Sequence, residues 1–118
     1  MRNMSFMLTT EQLRNKTKTV TRRNGWKNIK SGELIQGVVK CMGLKKGEKM
    51  EKIHVILILF RRREPLNDII YDAEYGREEM IKEGFPSMHP EDFVSMYCKH
   101  NKCKSSDIIT RIEFEYVN

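Results

Sequence analysis

The densest reactive stretch of the sequence is Lys18-Thr19-Val20-Thr21-Arg22-Arg23, with Trp26-Lys27 close behind it. Cations within a turn or two of an indole offer both a phosphate clamp and a stacking face. Arg22 and Arg23 add planar forks that match phosphate or a base edge bidentately. Arg22, Arg23, Trp26 and Lys27 are therefore candidate nucleic-acid contacts. The competing reading is structural: Trp26 packs in the core and the cations are solvated along their stems.

Two further groups are weaker. Arg61-Arg62-Arg63 closes the most apolar run of the chain. It could extend an electrostatic track for an RNA backbone, or guard a strand end against edge pairing. Cys98, His100 and Cys103, with Cys41 as a fourth ligand, raise zinc. Structural zinc sites favour two closely spaced cysteine pairs, and only one is present, on a stretch whose helix would splay the side chains. The expectation is incidental cysteines, no metal and no cofactor. His54 and His89 have no carboxylate partner visible in the sequence and receive no role.

The elements that must position these residues follow from the pattern. Residues 5–8 can open as a strand, and Thr9 with Gln12 offers a capping box for a two-turn helix over 10–15. In an extended 17–23 segment, Thr17, Thr19 and Thr21 face one way and Lys18, Val20 and Arg22 the other. Residues 25–30 read as a helical turn and 30–33 as a tight turn. Residues 34–42 form a strand in which Gly37 permits a bulge. A polar, glycine-punctuated connection over 43–50 leads to the strongest strand, 52–64, ended by Pro65. Residues 65–84 are helix-prone with Gly84 at the C-cap. A second helix starts at Pro90 behind His89 and runs to about His100, and its Phe85, Phe93, Met96 and Tyr97 spacing is that of a core face. Alternation over 108–117 makes the closing strand. One domain, 1–118, of α+β class is expected, with a mixed sheet or small barrel carrying two or three helices.

Lys and Arg outnumber Asp and Glu by 22 to 16 in 118 residues, so a polyanion is a natural partner. No apolar run approaches the roughly 20 residues of a membrane span, which excludes a membrane partner. Residues 1–16 are too polar for the apolar region of a signal peptide, and three unframed cysteines suit a reducing compartment, so a cytoplasmic location is expected.

Lys18 to Arg23, then Lys30-Ser31-Gly32-Glu33, then Glu83-Gly84-Phe85 and finally Ile112-Glu113-Phe114, resemble in order the motifs of the ASCH domain. The resemblance covers nearly the whole chain. It implies a small PUA-like β-barrel with peripheral helices and a cleft for RNA or a modified nucleoside. One branch of that family removes the acetyl group of N4-acetylcytidine with a Lys, a Thr and a Glu, which fall here on Lys18, Thr21 and Glu83. A desolvated Lys could serve as base toward the Thr hydroxyl, with the Glu holding or relaying the proton. Arg23 matches the cation that follows the Thr in that branch. Arg22 stands where an apolar β-branched residue is expected, and the 43–50 connection is insertion-like. The first functional expectation is an RNA- or nucleoside-binding domain. The second is an amidohydrolase of an acylated nucleoside. The third is a small regulator, of phage or mobile-element type, with a protein partner.

Overall fold

The longest element organises the rest. In the computed structural model, which describes residues 1–117, β4 (Lys52–Pro65) runs antiparallel to β3 (Leu34–Val38) on one side and to β5 (Ile108–Tyr116) on the other. β1 (Arg2–Ser5) adds in parallel to β3, and β2 (Val20–Arg23) pairs antiparallel with β5. The five-stranded order is β1-β3-β4-β5-β2. Register shifts between Gln36 and Val38, and between Ile58 and Phe60, bend β3 and β4. Bulges of this kind increase local twist, and the sheet curls into a half-barrel. Gly37 sits at the first bulge for a packing reason: a Cβ there would lie 2.6 Å from Leu13 Cδ2.

The concave face holds one core, in which Phe6, Leu13, Ile35, Ile56 and Phe114 are sealed from solvent. A second core lies beneath the helices α2 (Asp68–Tyr71), α3 (Ala73–Glu83) and α4 (Pro90–Asn101), around Leu66, Ile69, Met80, Phe93 and Ile109. A short helix α1 (Thr10–Arg14) packs onto the barrel core through Leu13. The architecture is thus a small α+β half-barrel with peripheral helices.

Local expectations divide instructively. Gly84 caps α3 at φ 96°, and Pro65 ends β4. The capping box at Thr9 does not form. Residues Met7–Thr9 make a 3₁₀ turn that runs straight into α1, and the Thr10 hydroxyl donates to the Phe6 carbonyl at 2.9 Å instead. Residues 65–84 break into two helices at Asp72, whose extended backbone lets its carboxylate accept from the Tyr75 amide and start α3 anew. His89 precedes Pro90 as expected but makes no side-chain cap bond. Among the described residues no helix is long and apolar enough to cross a membrane.

Candidate functional site

Lys18 lies just ahead of β2, where the Thr19 amide donates to the Lys82 carbonyl at 2.8 Å and ties this strand to the end of α3. That tie brings Lys18 to Glu83. The ammonium, 2% exposed, donates to Glu83 Oε1 at 2.6 Å and to the Glu83 carbonyl at 2.9 Å. Burial pulls the Lys18 pKa below its ordinary value, with Glu83 opposing the shift. Thr21, also buried, accepts from Arg23 Nε at 3.1 Å. The Arg23 guanidinium stacks over the Phe6 ring at 4.7 Å. Its terminal nitrogens have no protein partner among the described residues, and burial pushes its pKa down to about 10.

These side chains line one cleft of about 160 Å³ between the 5–9 segment, β2, the end of α3 and α4. Lys18, Thr21, Arg23 and Glu83 supply its polar side, and Phe6, Phe85, Phe93, Met96 and Tyr97 its apolar side. The aromatic residues read from sequence as core are therefore also cleft wall. Tyr97 is held by a hydrogen bond to Asn24 Oδ1 at 2.8 Å, and burial raises its phenol above the ordinary range.

Beneath the cleft runs an ion-pair chain. Arg22 donates to Glu83 Oε2 at 3.0 Å, to Glu79 Oε1 at 2.6 Å and to Glu64 Oε2 at 3.3 Å. Arg111 donates through Nε and Nη2 to both oxygens of Glu79. Although burial alone would lower their pKa values, the facing glutamates raise both Arg22 and Arg111 above the ordinary arginine value. Glu79 and Glu83 stand four residues apart, on one face of α3. That spacing was legible in the sequence; the pairing of this face with β2 and β5 was not.

The sequence-level site is thus divided. Lys18, Thr21, Arg23 and Glu83 converge. Arg22 also borders the cleft, but its side chain has no exposed surface and its fork is occupied by three carboxylates. Trp26 and Lys27 are not part of the cleft lining. Trp26 adopts φ 56° and leans on the barrel core beneath the Arg2 guanidinium, while Lys27 is exposed in a turn. In the Arg61–Arg63 run, Arg61 donates to the Ile29 carbonyl, Arg62 to Glu64 and Arg63 to the Thr110 hydroxyl. Arg61 thereby ties β4 to the segment before β3, while Arg62 and Arg63 are held within the β4–β5 pair. Cys98 and Cys103 touch, Sγ to Sγ 3.6 Å, and burial pushes the Cys98 thiol up to about 11. Among the described residues no cluster of three His, Cys, Asp or Glu side chains could hold a metal ion.

The ion-pair chain sets an acid limit on stability. Burial would raise the Glu79 pKa, but Arg111 and Arg22 outweigh it and hold the carboxyl down to about 2, against 4.5 ordinarily. A depressed acid contributes stability in full above its unfolded pKa, and that contribution is lost as pH falls toward the folded value. Urea unfolding should therefore show about 3 kcal/mol disappearing between pH 4.5 and 2 on account of this group. Glu79→Gln should show a shallower slope in that window. Equal slopes in the two proteins would mean that Glu79 is not held by the two arginines.

No family model matches the sequence, and no curated protein matches it. Solved structures do share the fold. Protein EF3133 from Enterococcus faecalis V583, described under DUF984, superposes with a TM-score of 0.62 at 12% identity, over 93% of this chain and 70% of its own. The hypothetical protein PH0355 gives 0.63 at 15% identity, over 98% and 96%. An ASCH domain from Lactobacillus crispatus JV V101 gives 0.58 at 13% identity, over 98% and 79%. The sheet, the helices and these likenesses define the chain's class by fold alone, an α+β fold shared with that ASCH domain.

Proposed function

We propose that the cleft holds a single nucleobase, with Arg23 reading an acceptor on its edge and the aromatic wall covering its face. The observation that carries this reading is the state of Arg23. Its guanidinium is half-buried, fixed by Thr21 and Phe6, and has donors left over inside a cleft with an apolar wall. Buried donors favour an acceptor, and an apolar wall favours a flat ring. At about 160 Å³ the cleft is smaller than the roughly 300–1,000 Å³ of sites for drug-sized ligands, so it suits one base and not a whole dinucleotide.

Calorimetric titration with cytidine and N4-acetylcytidine tests this. Binding of at least one is expected, weakened about ten- to a hundredfold in Arg23→Ala, the loss associated with a hydrogen bond from a charged donor. No heat at millimolar nucleoside, or an unaffected Arg23→Ala, would remove the reading.

A second reading is favoured by one observation, the lowered pKa of Lys18 beside Glu83 and in the same cleft as Thr21. A neutral Lys18 can accept the proton of an attacking hydroxyl, from Thr21 or from water. The hydroxyl oxygen bonds to the acyl carbon, the C–N bond breaks, and the departing amine takes the proton back from Lys18. When Thr21 attacks, water then releases the acid from the ester. Acetate release from N4-acetylcytidine by the wild type, lost in Lys18→Met, supports hydrolysis; binding without release leaves the binding cleft.

A further inference from the structure

We propose that the lysine-bearing loop between β3 and β4 is a phosphate subsite of the cleft, so that the ligand is a base within a single-stranded polynucleotide and not a free nucleoside. The proposal rests on the nucleobase reading of the cleft.

The loop begins at the cleft. The Phe6 amide donates to the Val38 carbonyl at 2.8 Å, and the Ser5 hydroxyl donates to the Val39 carbonyl at 3.1 Å. Ser5 and Phe6 both line the cleft. The neck is closed by the Val39 amide donating to the Glu51 carbonyl at 2.9 Å, and Gly43 and Gly47, at φ 68° and 83°, turn the chain back. Those signs of φ suit glycine.

Charge on the loop is one-sided. Its acidic groups are occupied: Glu48 lies 3.8 Å from Lys40 and accepts from the Lys45 amide, and Glu51 accepts from Arg14 at 3.0 Å. The ammonium groups of Lys45, Lys46 and Lys49 are exposed and have no acidic partner among the described residues. A set of unneutralised cations on a loop whose neck borders a base-sized cleft matches a strand whose base is inserted and whose neighbouring phosphates pass outside. A free nucleoside carries no phosphate and draws nothing from these lysines.

The salt dependence of binding reads the number of phosphates engaged, with a slope of about 0.7 per phosphate for single strands. The probes are N4-acetylcytidine and a single-stranded RNA octamer carrying it at the centre, measured by calorimetry and fluorescence anisotropy from about 50 to 200 mM KCl. Wild type should bind the octamer at least tenfold more tightly than the nucleoside. In K45A/K46A/K49A that excess should vanish and the slope should fall by about 2. Nucleoside binding should stay unchanged there, because the three lysines lie outside the cleft lining. K27A/K30A, which also removes exposed cations outside the lining, should behave as wild type. An octamer affinity and slope untouched by the triple substitution, or lowered equally by K27A/K30A, overturns the loop assignment. A wild type that binds the nucleoside but gains nothing from the octamer overturns the loop alone. One that binds neither overturns the cleft reading as well.

Discussion

Glu83→Ala should destabilise the protein by about 3–5 kcal/mol, the usual consequence of removing one partner from a buried ion pair. Both cations that Glu83 holds are inside: Lys18 is 2% exposed and the Arg22 side chain 0%. Arg22 keeps Glu79 and Glu64 after the change, so its loss is partial. Lys18 keeps only the residue-83 carbonyl. Since burial already lowers its pKa and Glu83 no longer opposes the shift, Lys18 in the folded variant should lose its proton at lower pH than in the unfolded chain. An unfolded state that binds more protons makes stability rise with pH. The variant should therefore recover stability as pH increases toward 10.5, where the unfolded lysine also loses its proton. Lys18→Met should be much milder, because Glu83 stays paired with Arg22 and the replacement fills the space with apolar atoms. Denaturant unfolding of the three proteins at several pH values measures this. A Glu83→Ala protein within 1 kcal/mol of wild type at neutral pH would show that solvent reaches the pair.

The same pair shows what the sequence conveys and what it withholds. Local chemistry was readable: alternation marked β5, Gly84 announced the αL cap of α3, and Gly37 marked a bulge. Each of these is decided by a residue's own backbone freedom or by its near neighbours. The contact between Lys18 and Glu83 spans 65 residues and depends on how α3 docks on the start of β2. Only the resemblance of the ordered motifs proposed that union. Arg22 illustrates the limit. As a sequence neighbour of Arg23 it looks like part of one basic patch, yet adjacent strand residues face opposite ways. Both border the cleft, but the Arg23 guanidinium lies over Phe6 while that of Arg22 is taken up by the acidic face of α3. Charge counted along the chain therefore overstated the basic character of the site. Trp26 lies apart from the cleft for a different reason, since a positive φ is rare outside glycine and nothing in the local pattern announces it. The Thr9 capping box matched its template, but the preceding 3₁₀ turn had already supplied the backbone geometry the cap would have created.

Gly76→Ala should be nearly as damaging, although alanine is the better helix former by about 1 kcal/mol. Gly76 lies in the first turns of α3, where that helix crosses α2 and the start of α4. A Cβ at this position would collide with the carbonyl oxygen of Ile69 and lie 2.9 Å from Pro90 Cγ. The oxygen belongs to the backbone and cannot swing aside as a flexible side chain would. Relief requires α3 to move, at about 1–3 kcal/mol for an overpacked core and more where backbone shifts. A net loss of 2–3 kcal/mol, lowering Tm by about 10 °C, is expected. The functional consequence follows from what α3 carries. Glu79 and Glu83 lie one and two turns beyond Gly76, so a displaced helix lengthens the contacts to Lys18 and Arg22 and loosens the polar side of the cleft. Nucleoside binding should weaken together with stability. Ile81→Ala, on the exposed face of the same helix, should change stability by less than about 0.5 kcal/mol and leave binding intact. A Gly76→Ala protein as stable as wild type would mean that the helix can back away from Ile69 and Pro90 freely. Lost binding with preserved stability would instead place the effect of the shift on Glu83 alone.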